Sequence, residues 1–545
     1  MNAPATAADG RPMMSHRQIM VVFSGLMLGL LLAALDQTIV STALLTIVND
    51  LDKTTGTAQM PWVVTAYLLA STAVTPIYGK LADLYGPKKI YMFAIGLFLA
   101  GSILCGLSQN MAELIAFRAI QGLGGGGLMA LTFTIIGSVV PPRDRGKYQG
   151  YFGGVFMHAM VLGPLIGGFF TDQHLLLGIT GWRYIFYVNV PIGVVALIVV
   201  SIVLHVRDNQ IKHKIDYIGA ALVTGGASAV LLAAQLGSNG QYSWGSATIV
   251  SLFAGGAALF ALFVLWEIKW ASEPILPMRL FRNQVFSLSN AMAFVVGLTM
   301  MGSLIYLSVY LQFVVGYSPT EAGLAILPMM LGIMPASIIG GRLISRIGRY
   351  KPFPIAGTAI AVVGMFLMSR LTVSTPAWER GVYMWVLGAG LGLVMPVLTL
   401  AVQNALPFKD IGTGTSANLF FRSLGQSFGT AIFGAILTNR LNFYVKQKTG
   451  PHAPAPAGKN SGSGSLDRAK FNALDKKFPG IESIMLHSFV QAMSVVFVTA
   501  AGIMAIAFVM SLFMKQVELR AVSAGAPAAA GEGALDDSPA APAMH

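Results

Sequence analysis

The run over residues 114–140, LIAFRAIQGLGGGGLMALTFTIIGSVV, constrains the fold more than any other stretch. Its 27 residues exceed the ~20 that a helix needs to cross a bilayer core. One charge, Arg118, sits inside it, followed by Gln121 and an unbroken Gly124-Gly125-Gly126-Gly127. An arginine facing lipid is costly, so Arg118 is expected to face the protein interior or water and to have a partner there. The plainer alternative is an anchor near a helix end, snorkelling to the surface. The glycines allow neighbouring backbones to come close, as small residues do between membrane helices.

Thirteen further apolar runs accompany it. The spacing predicts fourteen helices, over 19–42, 60–78, 90–107, 114–138, 148–170, 185–204, 217–237, 247–266, 286–311, 321–339, 353–371, 381–404, 414–437 and 487–513. Only 10% of residues are charged, against roughly 25% in soluble domains, and the apolar runs leave no room for a separate soluble domain. The formal charge of +13 lies mostly in short loops rather than on one folded face, which argues against nucleic acid as a partner. The single Cys105 forms no intramolecular disulfide and no thiolate metal cluster. A cleavable signal peptide is not expected, because Asp36 stands where small residues before a cleavage site are needed.

Lysine and arginine counts orient the chain. One alternate set of short loops carries seventeen, among them Lys80, Arg143, Arg145, Arg207, Lys212, Lys214, Arg342 and Arg349. The other set carries four: Lys53, Arg183, Arg370 and Arg380. The positive-inside rule places the first set, and both termini, in the cytoplasm. The long outer loop 438–486, with eight Lys/Arg, is the exception. The expected plan is a disordered cytoplasmic tail (1–18), a six-helix bundle (19–204), a linker with two inserted helices (205–284), a second six-helix bundle (285–513) and a disordered cytoplasmic tail (514–545). Within the outer loop, Phe471, Leu474 and Phe478 fall on one face of a possible surface helix.

An internal repeat supports this division. Gly79-Lys80-Leu81 followed by Gly86 recurs as Gly341-Arg342-Leu343 followed by Gly348, at identical spacing and after an even-numbered helix in both copies. Setting the seventh and eighth helices aside leaves two groups of six in which these loops correspond, an arrangement found in transporters with parallel repeats.

At this point the residues resemble a known family. Gly79-Lys80-Leu81-Ala82-Asp83-Leu84-Tyr85-Gly86-Pro87-Lys88-Lys89 resembles the loop motif of the major facilitator superfamily. Leu35-Asp36-Gln37-Thr38-Ile39-Val40 is similar to the first-helix motif of its fourteen-helix drug:proton antiporters. Arg118, Gln121, Gly122 and Gly124 resemble the fourth-helix motif tied to proton coupling. Gly163-Pro164-Leu165-Ile166-Gly167-Gly168, with Gly150 upstream, resembles the fifth-helix antiporter motif; Gly181-Trp182-Arg183 and Asn189-Val190-Pro191 also read like that branch. The resemblance spans nearly all of residues 19–513. It departs at Ala159, where the fifth-helix motif usually has Gly, and at Ser345, which stands where the first loop copy has Asp83. It implies a major facilitator fold of two six-helix bundles plus two extra helices. It also implies export of hydrophobic or amphipathic compounds driven by a proton gradient, without a bound cofactor. A multi-pass protein of the inner, cytoplasmic membrane is expected, functional as a monomer, and the resemblance leaves room for a periplasmic adaptor protein as partner.

The motifs also have a direct physical reading. Gly163 and Gly167 form a small-xxx-small face for close packing, and Pro164 removes a backbone donor and can bend the helix. A bent helix at a half-to-half seam would limit leakage, though ordinary packing explains the same residues. Asp83 is placed to pair with Arg145 of the next cytoplasmic loop as a latch, with a solvated loop charge as the alternative. Asn418, Arg422 and Gln426 are four apart and share a helix face. With Gln403, Asn404 and, on the first helix, Gln37, they either line a substrate wall or act as helix–helix glue. Only Asp36 and Glu321 qualify as cavity acids.

Depth links Asp36 to Arg118. Asp36 is 17 residues from Ile19, about 26 Å into the first helix, and Arg118 is roughly 6 Å below the outer edge of the fourth. In a core of about 30 Å both lie in its outer part, as natural partners. A carboxylate's proton affinity depends on desolvation and on whether its cation is beside it, which is the dependence an antiporter needs; a static structural pair is the alternative. A lipid or metabolite exporter is the second reading. An enzyme would need a nucleophile–base or metal constellation that eight scattered His, one Cys and no HExxH do not provide.

Overall fold

The computed structural model describes residues 16–51, 56–140, 142–172, 175–176, 179–204, 215–238, 241–449 and 481–519. Lys53, Arg207, Lys212, Lys214, the face formed by Phe471, Leu474 and Phe478, residues 1–15 of the N-terminal tail and the chain from Arg520 onward lie outside the described residues.

The first half comprises α1 (His16–Leu51), α2 (Gly56–Tyr85), α3 (Pro87–Leu107), α4 (Met111–Val139), α5 (Pro142–Gly150), α6 (Phe152–Asp172), α7 (Tyr184–Tyr187) and α8 (Asn189–Val203). The pair α9 (Tyr217–Ser238) and α10 (Ala247–Lys269) follows. The second half comprises α11 (Gln284–Tyr310), α12 (Pro319–Ala325), α13 (Leu327–Ile347), α14 (Pro352–Met368), α15 (Ala377–Ala405), α16 (Ile411–Thr449) and α17 (Ile481–Phe513). A two-residue antiparallel ribbon, Leu175–Leu176 with Ile179–Thr180, interrupts an otherwise helical protein.

Each of the fourteen sequence runs is helical. Among the described residues, twelve helices are long and apolar enough to cross a membrane. The two others depart for opposite reasons. Helix α14 is apolar but has 17 residues, while α16 has 39 but is diluted by Thr413, Thr415, Asn418, Arg422 and Gln426. The fifth run breaks at Tyr151, directly after Gly150, and the sixth turns at Val188 before α8.

Lipid tails are as apolar as leucine, so membrane helices associate through close packing and hydrogen bonds more than through burial of apolar surface. The tetraglycine of α4 shows how. A Cβ on Gly126 would strike the Ser71 carbonyl of α2, and one on Gly124 would strike the Phe98 amide and Ala94 carbonyl of α3. The run therefore admits two backbones at once, from two sides. Helices α2, α3 and α4 pack into one layer on it, with α1, α6 and α8 completing the half. In the second half α11 packs along α16, and α15 lies between α13 and α14. Helices α9 and α10 pack on each other, and α9 touches both α2 and α16 at the flank of the joint between the halves.

The repeat is structural as well as sequential. Gly86 and Gly348 both adopt left-handed backbone, with φ of 88° and 72°. Each closes its helix through the same bond, Gly86 N–H to Ala82 O at 3.0 Å and Gly348 N–H to Ile344 O at 2.8 Å. Glycine is required there because a Cβ disfavours that backbone region. Gly124→Val should lower stability by about 1–3 kcal/mol through overpacking. Gly168→Ala, whose Cβ would meet open space, should stay within about 0.5 kcal/mol. Melting of the two purified variants in detergent checks this, and equal losses would contradict it.

Candidate functional site

Asp36 is wholly buried in α1 and its carboxylate is fully matched. One oxygen accepts from the Arg118 guanidinium at 2.5 Å. The other accepts from Gln121 Nε2 at 2.7 Å and from Asn189 Nδ2 at 3.1 Å. Arg118 also donates to Gln121 Oε1 at 2.8 Å and, through Nε, to the Val63 carbonyl at 3.2 Å, while the Tyr67 ring lies 4.4 Å from its charge centre. Ser102 Oγ accepts from both Gln121 and Asn189 and donates to the Phe186 carbonyl. Asp36, Arg118 and Gln121 are thus brought together, with Arg118 paired internally rather than snorkelling to a helix end.

Such a charge pair is tolerable away from water only when its lone pairs and protons are satisfied. Five helices supply the groups: α1 the acid, α4 the cation and amide, α2 a carbonyl and a ring, α3 a serine, and α8 an asparagine. Close approach makes it possible, since Gly101 of α3 lies against the backbone of Gln121 and Gly122 of α4 against the Tyr67 carbonyl. Sequence reasoning missed Ser102 and Tyr67 and gave Asn189 no role. A serine inside the apolar run of α3 and the asparagine heading the Asn189-Val190-Pro191 motif were the available signals.

The expected latch takes a different form. Asp83 does not pair with Arg145. Its carboxylate receives the N–H of Gly412 at 2.9 Å and the N–H and hydroxyl of Thr413 at 2.7 and 2.8 Å. It thereby caps the N-terminus of α16 in the opposite half, where the exposed amides and the helix dipole favour an anion. Gly79, one turn earlier, lets α2 press against Gly412 and Ser416. Arg145, 1% exposed, donates instead to the carbonyls of Val140 at 2.9 Å and Gln403 at 3.4 Å. The pairing inferred from neighbouring loops fails because free backbone donors of a remote helix lie nearer than that guanidinium.

The second repeat copy makes the mirror contact without charge. Gly341 of α13 packs on Gly146 of α5, and Gly150 on Ser337. Ser345, at the place of Asp83, donates to the Gly341 carbonyl of its own helix at 3.0 Å. Gly150 therefore lies at the half-to-half seam. Gly163, by contrast, packs within its own half against Thr38, whose hydroxyl donates to the Ala159 carbonyl at 2.9 Å. Pro164 sits inside an unbroken α6, Gly167 is buried, and Gly168 is open.

The proposed polar wall is dispersed. Gln403 belongs to the seam, donating to the Phe133 carbonyl and Thr415 and accepting from Gln149. Asn404 reaches the Glu518 carbonyl in the segment after α17. Asn418 is buried inside the second half with Asn290, Ser289 and Thr399. Glu321 is fully exposed and closes a capping box with Ser318 at α12, so it is no cavity acid. Gln37 and Arg422 remain half-buried. Shared helical period assigned a common face to residues whose neighbours differ at each turn.

Two related helical halves, a buried acid–arginine pair in one and a seam closed at one end define a membrane transporter. The chain belongs to the major facilitator superfamily, whose family model matches residues 26–430. It is 36% identical to the multidrug transporter protein MdtP of Bacillus subtilis over 92% of this chain and 93% of that one. It is 38% identical to multidrug resistance protein 3 of the same organism, over 77% and 79%. The proton:xylose symporter XylE shares the fold, with a TM-score of 0.57 at 13% identity over 94% of this chain and 99% of that one.

Removing the Asp83 charge should weaken the α2–α16 joint by about 1 kcal/mol, roughly a fivefold shift in the closed-to-open ratio. Spin-label distances between introduced cysteines at the α2 and α16 ends, with buried Cys105 silent, should broaden in Asp83→Asn and stay unchanged in Ser345→Ala. Identical distributions in both would contradict the latch.

Proposed function

We propose that this protein is a proton-coupled antiporter that exports hydrophobic or amphipathic compounds across the cytoplasmic membrane, with both termini in the cytoplasm. The observation that carries this reading is the Asp36 carboxylate, buried beside Arg118 and held by two amide donors. In that setting the anion is stable only while the guanidinium stays in place. A change of backbone packing that draws α4 from α1 leaves the carboxylate to take a proton, and deprotonation restores the pair. The relatives named for multidrug transport support small-molecule export as the exchanged flux.

A contact path supports coupling of this event to gating. Thr38, two residues from Asp36, holds α6 through Ala159 and Gly163. Helix α6 continues from α5, whose Gly146 and Gly150 meet α13 at the seam. Loading of Asp36 therefore acts on a helix that reaches the opposite half. Substrate biases the exchange only to the extent that it binds the two packings differently.

The basic loop set places the latched end at the cytoplasm, so the described conformation is closed toward the cell interior. No nucleotide-binding GxxxxGK[ST] occurs in the sequence, consistent with an ion gradient as energy source.

In proteoliposomes with an imposed pH gradient, Asp36→Asn should abolish gradient-driven dye accumulation while dye binding persists. Arg118 left alone in that variant is an uncompensated buried charge, costing about 3–5 kcal/mol. The double variant Asp36→Asn/Arg118→Gln should therefore melt higher than Asp36→Asn and remain uncoupled. Dye accumulation driven by the gradient in either folded variant would overturn the assignment.

A further inference from the structure

The arginines inside the helical body differ in their surroundings. Arg118 is answered by Asp36, and Arg145 by two carbonyls. Arg422 has no hydrogen-bond or ion-pair partner among the described residues. It lies 11 residues into α16, about 17 Å from the latched end and so near the middle of a core of about 30 Å. A charge at that depth is expected to face an aqueous space or a partner.

The helical register shows what it faces. Thr415, Leu419, Arg422 and Gln426 follow one another at spacings of four, three and four, along one stripe of α16. Thr415 is bonded to Gln403 at the seam, and Leu419 packs into the core of the first half. The stripe therefore looks across at that half. Exposure rises along it, from Thr415 and Leu419, both buried, to Arg422 and Gln426, both half-buried. The stripe is sealed against the first half at Thr415 and Leu419 and loses that cover at Arg422 and Gln426. The stem of that arginine rests on Gly297 of α11, where a Cβ would crowd its Cγ. Among the acids, Asp36 is committed to Arg118 and Glu321 is exposed at α12, so neither neutralises it.

We propose that Arg422 anchors an anionic head group of the transported compound, a carboxylate, sulfonate or phosphate carried on an apolar body. A guanidinium suits such a group because its fork of donors matches two oxygens at once. Gln426, one turn further from the latch, adds an amide in line. An apolar cation would meet an uncompensated positive charge at Arg422 and is disfavoured. This inference rests on the export reading above and names the substrate class of that site.

A matched pair of probes, dansyl-undecanoate and its methyl ester, isolates the charge. With the full-length protein in proteoliposomes under a pH gradient, the acid should be transported in preference to the ester. Arg422→Gln should raise the apparent KM for the acid by about tenfold or more, leave that for the ester within about twofold, and shift the affinity of detergent-solubilised protein for the acid in the same way. Arg422→Lys should recover much of the loss. Gradient-driven transport of both probes with no preference, or an Arg422→Gln variant that loses both equally while folded, would overturn the anionic site alone. Accumulation of neither probe, nor of a cationic dye, under the gradient would overturn the export reading itself.

Discussion

How closely backbones approach one another determines what else this molecule can build. Between helices in lipid, burying another leucine gains little, and contact at van der Waals distance gains much. The glycines of α4 give that contact to α2 and α3 together. Only then do Arg118, Gln121 and Asn189 converge on one carboxylate, with Ser102 and the Val63 carbonyl holding those donors in place. The same device recurs at the seam, where Gly79 meets Gly412 and Gly146 meets Gly341. The polar chemistry is thus placed by residues that carry no polar side chain.

Within that frame the two ends of the first half do different work. The acid–arginine cluster is self-contained, with its donors and acceptors drawn from its own helices. The Asp83 cap reaches out, using backbone amides that α16 cannot satisfy internally. One site holds a charge pair within a half, and the other joins the two halves. Helix α6 and its continuation into α5 lie between them, packed on Thr38 at one end and on α13 at the other.

Much of this was legible in the sequence. Long apolar runs, punctuated by Gly and Lys/Arg, named the helices, and the matched Gly86 and Gly348 copies revealed a repeat whose turns close through equivalent bonds. Depth alone brought Asp36 and Arg118 together, because rise per residue is fixed and a buried charge needs an opposite one. The partners of Asp83 were hidden, since a helix N-terminus offers bare amides that no residue type announces. The dispersal of Gln403, Asn404 and Asn418 was hidden for a related reason. Periodicity says which residues share a face, but the neighbour opposite each turn is set by the packing of other helices. Ser102 carried no signal of its own and Asn189 stood only as the head of a motif until α3 and α8 placed them around one acid.

The loss of the acid in the second loop copy gives the seam unequal edges. Along α2 and α16 a carboxylate is lodged in a helix terminus; along α5 and α13 glycine backbones touch with no charge between them. A joint of this kind does not part evenly. The α5–α13 edge can slide on its glycines, while the α2–α16 edge is pinned at its cap. Opening at the latched side then has a direction, with the gap forming along α5 and α13 before the α2–α16 edge yields.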